Sequence, residues 1–365
     1  MGRLGCLCLR CLSRRDARLH TGPSAPDRVG RYRRLDCHAR PCSNRCADWP
    51  RALASGHHRR DRGKGRQHVL LVARPSAGKA RFSSRRLFCR AAWLNSAHPV
   101  AARVPMLFGI DRFLAEPDLR KPLSGRRVAL LAHPASVTAD LVHSLDALAA
   151  LDDIHLTAAF GPQHGLRGDK QDNMVESPDF IDPVLRIPVF SLYGEVRRPT
   201  QAMMDSFDVI LIDLQDLGCR IYTFVTTLLY ILEAAAQQGK SVWVLDRPNP
   251  AGRPVEGLTL HTGWESFVGA GPMPMRHGLT LGEMGHWFIR HYGLDVDYRV
   301  VEMQGWQPAD APGFGWPADR LWVNPSPNAA NVNMARAYAG TVMLEGTTLS
   351  EGRGTTRPLE IFGAP

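Results

Sequence analysis

Short apolar runs alternate with helical segments between residues 127 and 246, and this alternation limits the possible fold more than any other feature of the chain. Each run is continuous rather than alternating, which is typical of strands buried on both faces of a parallel sheet. Strands that alternate with helices indicate an α/β fold. The predicted strands are Arg127–Ala132, Ile154–Phe160, Ile187–Leu192, Val209–Leu214 and Ser241–Asp246.

The segments between these strands predict the crossovers that a parallel sheet needs. Apolar residues recur at helical spacing in Leu141–Leu151, Pro199–Phe207 and Tyr222–Gln238. Residues 106–260 are therefore expected to form a Rossmann-like parallel sheet domain. No G-x-G-x-x-G follows the first strand and no G-x-x-x-x-G-K-[ST] occurs, so we expect no nucleotide site. Their absence argues against a nucleotide-dependent enzyme.

Residues 261–365 are richer in Pro, Gly and Trp than residues 106–260, and they predict a second, smaller α+β domain. Thr280–Tyr292 is a predicted helix, in which Thr280 and Glu283 have the spacing of a capping box. Val323–Asn333 is expected to be a turn-rich loop, and 337–345 a strand or a helix. The chain ends in F-G-A-P without a closing element, so we expect this domain to be incomplete.

Residues 1–105 have a different composition from the rest of the chain. They hold 24 Lys and Arg, 5 Asp and no Glu, a net charge of +19, whereas residues 106–365 hold 21 Lys and Arg against 30 Asp and Glu, a net charge of −9. We expect the first segment to be disordered, or translation to start at Met106. The basic charge therefore does not predict nucleic-acid binding by the folded part, and no apolar run is long enough for a membrane span.

Unusual polar residues follow the predicted strands. In parallel α/β sheets ligands bind beyond the carboxyl ends of the strands, so these residues predict an active site. They are Gln163, His164, Tyr193, Gln215, Asp216, Asp246 and Arg247.

The stretch I-D-L-Q-D-L-G-C-R-I-Y-T-F, residues 212–224, carries the most information about chemistry. Asp216 with Arg220 could bind sugar hydroxyls, or Asp216 could act as an acid–base group, with Tyr222 as a further donor. Alternatively, Asp213 and Asp216 cap the following helix and Arg220 pairs with one of them.

Further carboxylates and cations lie on other loops. The glycine-flanked loop 161–168 contains Arg167, and Glu176 lies beyond it; Glu176 and Asp216 could form the carboxylate pair that glycoside hydrolysis uses. The alternative is a solvated acidic loop that also includes Asp169 and Asp172. Asp246 and Arg247 could face the cleft or pair with each other, and Arg353 could line the cleft or a surface loop. His277 and His286 lack metal-ligand spacing, so no metal site is predicted.

Many motifs occur together in one order along the chain, and together they are similar to those of the bacterial exo-β-N-acetylmuramidase family, long described as a domain of unknown function. The similarity covers about Phe108 to Pro365. The motifs include F-G-P-Q-H-G-L-R-G, D-L-Q-D-L-G-C-R-I-Y-T-F, V-L-D-R-P-N-P-A-G, R-H-G-L-T-L-G-E, N-P-S-P-N and L-E-G-T-T-L-S-E-G-R-G-T-T.

This resemblance implies release of terminal N-acetylmuramic acid from the non-reducing ends of peptidoglycan fragments during cell-wall turnover, without a cofactor. The residues that we expect to be catalytic in this chain are Glu176, Asp216 and His164. A cytoplasmic location is the expectation, with the periplasm as the alternative. The sequence does not define the oligomeric state. The residues expected to bind the sugar or its lactyl carboxylate are Gln163, Arg167, Tyr193, Gln215, Arg220, Tyr222, Asp246, Arg247, Asn249 and Arg353.

Two departures from the family pattern leave an alternative open. The family usually has Glu at the position of Gln163, and a glutamine cannot donate or accept a proton as a carboxyl group does. The family's chains also continue past the final G-A-P. A non-catalytic protein that binds muropeptides is therefore the second hypothesis.

Overall fold

The computed structural model describes residues 106–168, 175–307, 315–317 and 319–364. Expectations about residues 1–105, Asp169 and Asp172 lie outside these residues. The sheet of the described chain consists of β1 Arg127–Ala132, β2 His155–Gly161, β3 Phe180–Ile181, β4 Pro188–Ser191, β5 Val209–Asp213, β6 Ser241–Leu245 and β7 Tyr298–Val301.

Seven α-helices occur in the described residues, and the longest follows β5. A short 3₁₀ helix, Lys121–Leu123, follows the second α-helix, and another, Val342–Gly346, follows the last. The α-helices are α1 Gly109–Ala115, α2 Pro117–Arg120, α3 Ser144–Ala149, α4 Gln201–Met204, α5 Thr223–Gln238, α6 Leu281–Tyr292 and α7 Val332–Thr341.

The strands are arranged in the order β3-β4-β2-β1-β5-β6-β7. All neighbouring pairs are parallel except β3 and β4, which are antiparallel. When β3 is left out and the other six strands are numbered along the chain, their order across the sheet is 3-2-1-4-5-6. This is the strand order of the Rossmann fold. The predicted Rossmann-like α/β sheet is confirmed.

Two hydrophobic cores cover the two faces of the sheet. Successive residues of a strand point to opposite faces, and in β1 Leu131 belongs to one core while Leu130 belongs to the other. The first core is completed by α5 and α6, through residues such as Phe224 and Phe288. The second is completed by α1 and α3. Both faces of the sheet are therefore covered by apolar side chains, so polar groups of a site are expected at the ends of the strands.

The five predicted strands are confirmed, with ends that differ by one residue or less at most positions. β3 and β7 were not predicted. β7 lies beyond residue 260 but pairs with β6 in the same sheet, while the expected boundary at residue 260 stays a prediction. The ambiguous segment 337–345 is helical, and α7 begins earlier because the Asn331 side chain accepts hydrogen bonds from the N–H groups of Asn333 and Met334. The capping box of Thr280 and Glu283 on α6 is confirmed.

Candidate functional site

The carboxyl ends of β1 and β5 form the switch point of the sheet. These two strands are neighbours, and the chain leaves them toward opposite edges. A crevice forms at such a point because the two connections diverge, and ligands bind there in sheets of this type. The residues that follow β1 and β5, together with those that follow β2 and β6 beside them, therefore define the candidate site.

His133, directly after β1, is a residue of this site that the sequence reasoning missed. It is fully buried, and its Nε2 accepts a hydrogen bond of 2.8 Å from the Gln215 N–H. Burial, followed by the positive charge of Arg247, holds the pKa of His133 well below its usual value. The imidazole is therefore neutral and fixes the start of the loop after β5. Its position as the first polar residue after β1 was the available signal.

Asp216 is the central carboxylate of the loop after β5. It is 4% exposed. Its Oδ2 accepts a hydrogen bond of 2.7 Å from the Gly218 N–H and lies 3.2 Å from Nε2 of His277. Its Oδ1 is buried without a hydrogen-bond partner. Gly218 has a φ of 75°, and a Cβ there would lie 2.2 Å from the Asn249 Oδ1, so only glycine fits this turn.

Gln215 connects the loops that follow β5 and β6. Its Nε2 donates to the carbonyl oxygens of Asp216, at 2.9 Å, and Pro248, at 3.0 Å. Its Oε1 is buried and has no partner. The Gln215 side chain thus adds a second buried acceptor oxygen without a partner, in addition to the Oδ1 of Asp216.

Gln163 and His164 reach the site from the loop after β2. The Thr223 hydroxyl donates to the Gln163 Oε1 at 2.9 Å, and Thr223 is the first residue of α5. The Gln163 amide therefore lies at a helix N-terminus, where unpaired N–H groups and the helix dipole favour negative charge. His164 is buried and has a φ of 74°, an uncommon conformation outside glycine.

Arg220 and Tyr222 line the same loop, but Arg220 makes no ion pair of the kind that the sequence suggested. Its Nη1 donates to the carbonyl oxygens of Leu258 and Met273, each at 2.7 Å, while its Nε is buried without a partner. Burial lowers the pKa of Arg220 and raises that of Tyr222. Arg220 thus anchors the 255–276 segment beside the site and keeps a charge that no carboxylate of the described residues neutralises by contact.

Arg247 is paired with Asp213, so the alternative in which it pairs with Asp246 was wrong. Its Nε and Nη2 donate to the two oxygens of Asp213 at 2.5 and 2.9 Å, and the two side chains are 3% and 0% exposed. Ser144 also donates to Asp213. Asp213 therefore does not cap α5, and the fork of Arg247 is occupied inside the protein.

Asp246 and Asn249 hold the start of α6. The Thr280 hydroxyl and the Gly282 N–H donate to Asp246 at 2.8 and 2.9 Å, and the Asn249 Nδ2 donates to the Leu279 carbonyl at 2.9 Å. Burial raises the pKa of Asp246 to about 6. Both side chains are committed to contacts within the fold.

The remaining predicted residues make contacts away from Asp216. Glu176 is 62% exposed and lies 3.3 Å from the Arg197 guanidinium, which in turn stacks over the Tyr193 ring at 3.9 Å. Tyr193 follows β4, three strand spacings or roughly 14 Å from β5. Two further predicted arginines are paired with acids: Arg167 with Asp146, and Arg353 with Glu345 and Glu351.

Metal-ligating side chains do not cluster in the described part of the chain. No group of three or more His, Cys, Asp or Glu residues there is arranged to hold an ion. Cys219 is buried, and burial raises the pKa of its thiol to about 12, so it is not a ready nucleophile. Among the same residues, no helix has the length and apolar character needed to cross a bilayer.

Two family models match the chain in succession. The model described as "Exo-beta-N-acetylmuramidase NamZ, N-terminal" matches residues 128–333, and the corresponding C-terminal model matches residues 336–365. The chain is also 42% identical over 273 residues to "Peptidoglycan beta-N-acetylmuramidase NamZ" of Bacillus subtilis (strain 168). That match covers 74% of the chain but 64% of the relative, so the chain spans less than two thirds of its length.

Two solved structures are similar to the described fold. Both are crystal structures of DUF1343 family proteins from Bacteroides fragilis NCTC 9343. The first has a TM-score of 0.62 and 34% identity, covering 71% of this chain and 65% of that one. The second has a TM-score of 0.59 and 29% identity, covering 72% and 68%.

Proposed function

Because the chain belongs to the exo-β-N-acetylmuramidase NamZ family, we propose that it hydrolyses the β-glycosidic bond of a terminal N-acetylmuramic acid at the non-reducing end of peptidoglycan fragments. The observation that carries this proposal is the 42% identity, over 74% of the chain, to a relative described as a peptidoglycan β-N-acetylmuramidase. The Rossmann-type order of the sheet supports it by providing a crevice at the switch point.

Asp216 is assigned the acid–base role in this reaction. Glycosidases use carboxyl groups that exchange a proton with the glycosidic oxygen or with water. One oxygen of Asp216 accepts a hydrogen bond from the Gly218 N–H and lies 3.2 Å from the His277 Nε2, while the other has no partner among the described residues. A substrate hydroxyl or a water would satisfy that oxygen, whose unpaired burial otherwise costs about 1–3 kcal/mol.

Glu176 and His164 remain the proposed companions of Asp216. The carboxyl groups of an inverting glycosidase are about 6.5–9.5 Å apart, less than the roughly 14 Å between β4 and β5. The carboxyl group of the exposed Glu176 would therefore need to move closer to Asp216 when substrate binds. His164 already lies in the loop after β2, one strand from β1.

Arg220 is the predicted arginine best suited to the lactyl carboxylate of the substrate. Arg167, Arg247 and Arg353 are each paired with carboxylates. Arg220 donates only to carbonyl oxygens and keeps a buried Nε without a partner. A guanidinium that is not neutralised by a neighbouring acid favours an anionic ligand.

Gln163 supports a second candidate function, the binding of muropeptides without hydrolysis. Its amide lies at the N-terminus of α5, where the family resemblance implies a carboxylate, and an amide cannot transfer a proton. The two candidates differ in turnover and not in ligand.

The test is hydrolysis of a chromogenic N-acetylmuramic acid β-glycoside by the full chain, with the matching N-acetylglucosamine glycoside as the control. Turnover of the first substrate alone supports the hydrolase. Calorimetric titration with N-acetylmuramic acid is the companion measurement, because binding without turnover would favour the second candidate. Failure of a folded protein to bind or hydrolyse either sugar would refute both.

A cytoplasmic site of action, with the periplasm as the alternative, is a further part of the proposal. The lone Cys219 in residues 106–365 gives no disulfide that would require an oxidising compartment. Fractionation of cells that express the full chain, followed by immunodetection, tests the location.

A further inference from the structure

Polar atoms that are buried without a partner concentrate around Asp216. Within the described chain, Gln215 Oε1, Asp216 Oδ1 and Arg220 Nε belong to this set. His277 Nε2 also makes no hydrogen bond there, although it lies 3.2 Å from the Asp216 Oδ2. They lie on two segments that meet at the bridge between Cys219 and Arg276. Buried polar groups without partners are rare in folded proteins and call for an explanation, of which a ligand is one.

The hydrogen bonds of His277 identify which ring nitrogen carries its proton. The Leu279 N–H donates to Nδ1 at 3.2 Å, so Nδ1 is the acceptor. In a neutral imidazole the proton is then on Nε2, which lies 3.2 Å from the Asp216 Oδ2. His277 thus places Nε2 next to the same oxygen that accepts from Gly218.

The backbone on both sides of His277 is fixed. The Arg276 N–H donates to the Glu256 carbonyl at 2.9 Å, and the Glu256 N–H donates to the Arg276 carbonyl at 3.1 Å. The Arg220 N–H donates to the Met275 carbonyl at 2.8 Å. On the other side, the Asn249 Nδ2 donates to Leu279. The imidazole therefore has a defined position against the carboxylate.

We propose that His277 is a positioning residue for Asp216: its Nε2, 3.2 Å from Oδ2, fixes one carboxylate oxygen so that the other oxygen faces the substrate. This inference rests on the proposed function and adds a residue that supports the reaction without touching the substrate.

The test compares two amide substitutions that imitate different nitrogens of the imidazole. The amide of His277→Gln reaches the place of Nε2, whereas the amide of His277→Asn reaches only that of Nδ1. We expect His277→Asn to lower kcat about 100-fold, the effect of a misplaced catalytic group, with KM changed less than about 3-fold. His277→Gln should recover most of kcat. His261→Asn, an exposed residue of the same loop, is the matched control and should behave as wild type.

A double-mutant cycle with Asp216→Asn separates positioning from a general structural role. If His277 acts through Asp216, adding His277→Asn to Asp216→Asn should cause less than about 3-fold further loss, because the two residues act as a unit. Independent losses that multiply would overturn the inference, as would equal kcat values for His277→Asn and wild type. Loss of wild-type turnover and binding altogether would instead refute the proposed function on which the inference depends.

Discussion

Gln163 is the single residue on which the choice between hydrolase and binding protein depends. Its Oε1 accepts from Thr223 at the first turn of α5. A carboxylate in the same place would keep that hydrogen bond and gain from the helix N-terminus. The present glutamine has the shape of the glutamate that the family resemblance implies, but not its proton chemistry.

We therefore expect Gln163→Glu to raise kcat on the N-acetylmuramic acid glycoside. An added acid–base group contributes about 10²–10⁴-fold, and the substitution is nearly isosteric, so KM should change little. Initial rates for the variant and wild type measure the effect, with Gln201→Glu on the exposed start of α4 as the matched control. Equal rates would show that Asp216 and its other companions suffice without a carboxylate at residue 163.

Arg247 is expected to act in folding rather than in substrate binding. Its partner Asp213 is completely buried, so Arg247→Met would leave a carboxylate in the interior with only Ser144 to satisfy it. Loss of one partner of a buried ion pair costs about 3–5 kcal/mol. Urea unfolding measures the change, and Arg353→Met, which breaks a partly exposed pair, should cost about 0–1 kcal/mol. A normal unfolding midpoint with a raised KM would restore the original prediction that Arg247 binds substrate.

At the scale of elements, the start of α6 depends on a carboxylate whose pKa is raised. Asp246 receives donors from Thr280 and Gly282, yet burial raises its pKa from 3.8 to about 6. The folded protein therefore holds this proton more tightly than the unfolded chain. The tighter hold on this proton adds its whole contribution to the free energy of unfolding below about pH 4. That contribution is lost as the pH rises through about 6.

This linkage predicts a pH-dependent difference between wild type and Asp246→Asn. Since the shift is about two pKa units, the free energy of unfolding of wild type should fall relative to the variant by about 3 kcal/mol between pH 4 and 7. Denaturant titrations at several pH values measure the difference, in which groups common to both proteins cancel. A difference that stays constant with pH would show that the buried Asp246 has an ordinary pKa.

The elements also show how far sequence reasoning reaches. The five central strands were predictable because a strand that is buried on both faces needs apolar residues at successive positions, which gives a continuous apolar run. β7 lies at the edge and mixes Arg299 with apolar residues, and β3 has two exposed residues, so neither leaves such a run. Asp216 and Gln215 were predictable from their position after β5. The pairing of Asp213 with Arg247 and of Asp216 with His277 was not, because it depends on distances between loops far apart in sequence.

At the scale of the whole molecule, the two parts of the chain carry opposite charge. Residues 1–105 have a net charge of +19 and residues 106–365 one of −9, so the full chain is at +10. The proposed substrate is anionic through its lactyl carboxylate. Long-range attraction raises the rate of encounter and repulsion lowers it, and both effects weaken as salt shortens the Debye length to about 10 Å at 0.1 M.

The salt dependence of kcat/KM should therefore reverse between the full chain and a protein that starts at Met106. We expect kcat/KM of the full chain to fall as sodium chloride rises from about 10 mM to 300 mM, and that of the shorter protein to rise, each by a few-fold. The methyl ester of the lactyl group, which is uncharged, is the control substrate and should show neither trend. If both proteins respond alike, the charges of residues 1–105 do not influence the approach of substrate, and the local field of Arg220 and its neighbours alone determines how the anion is captured.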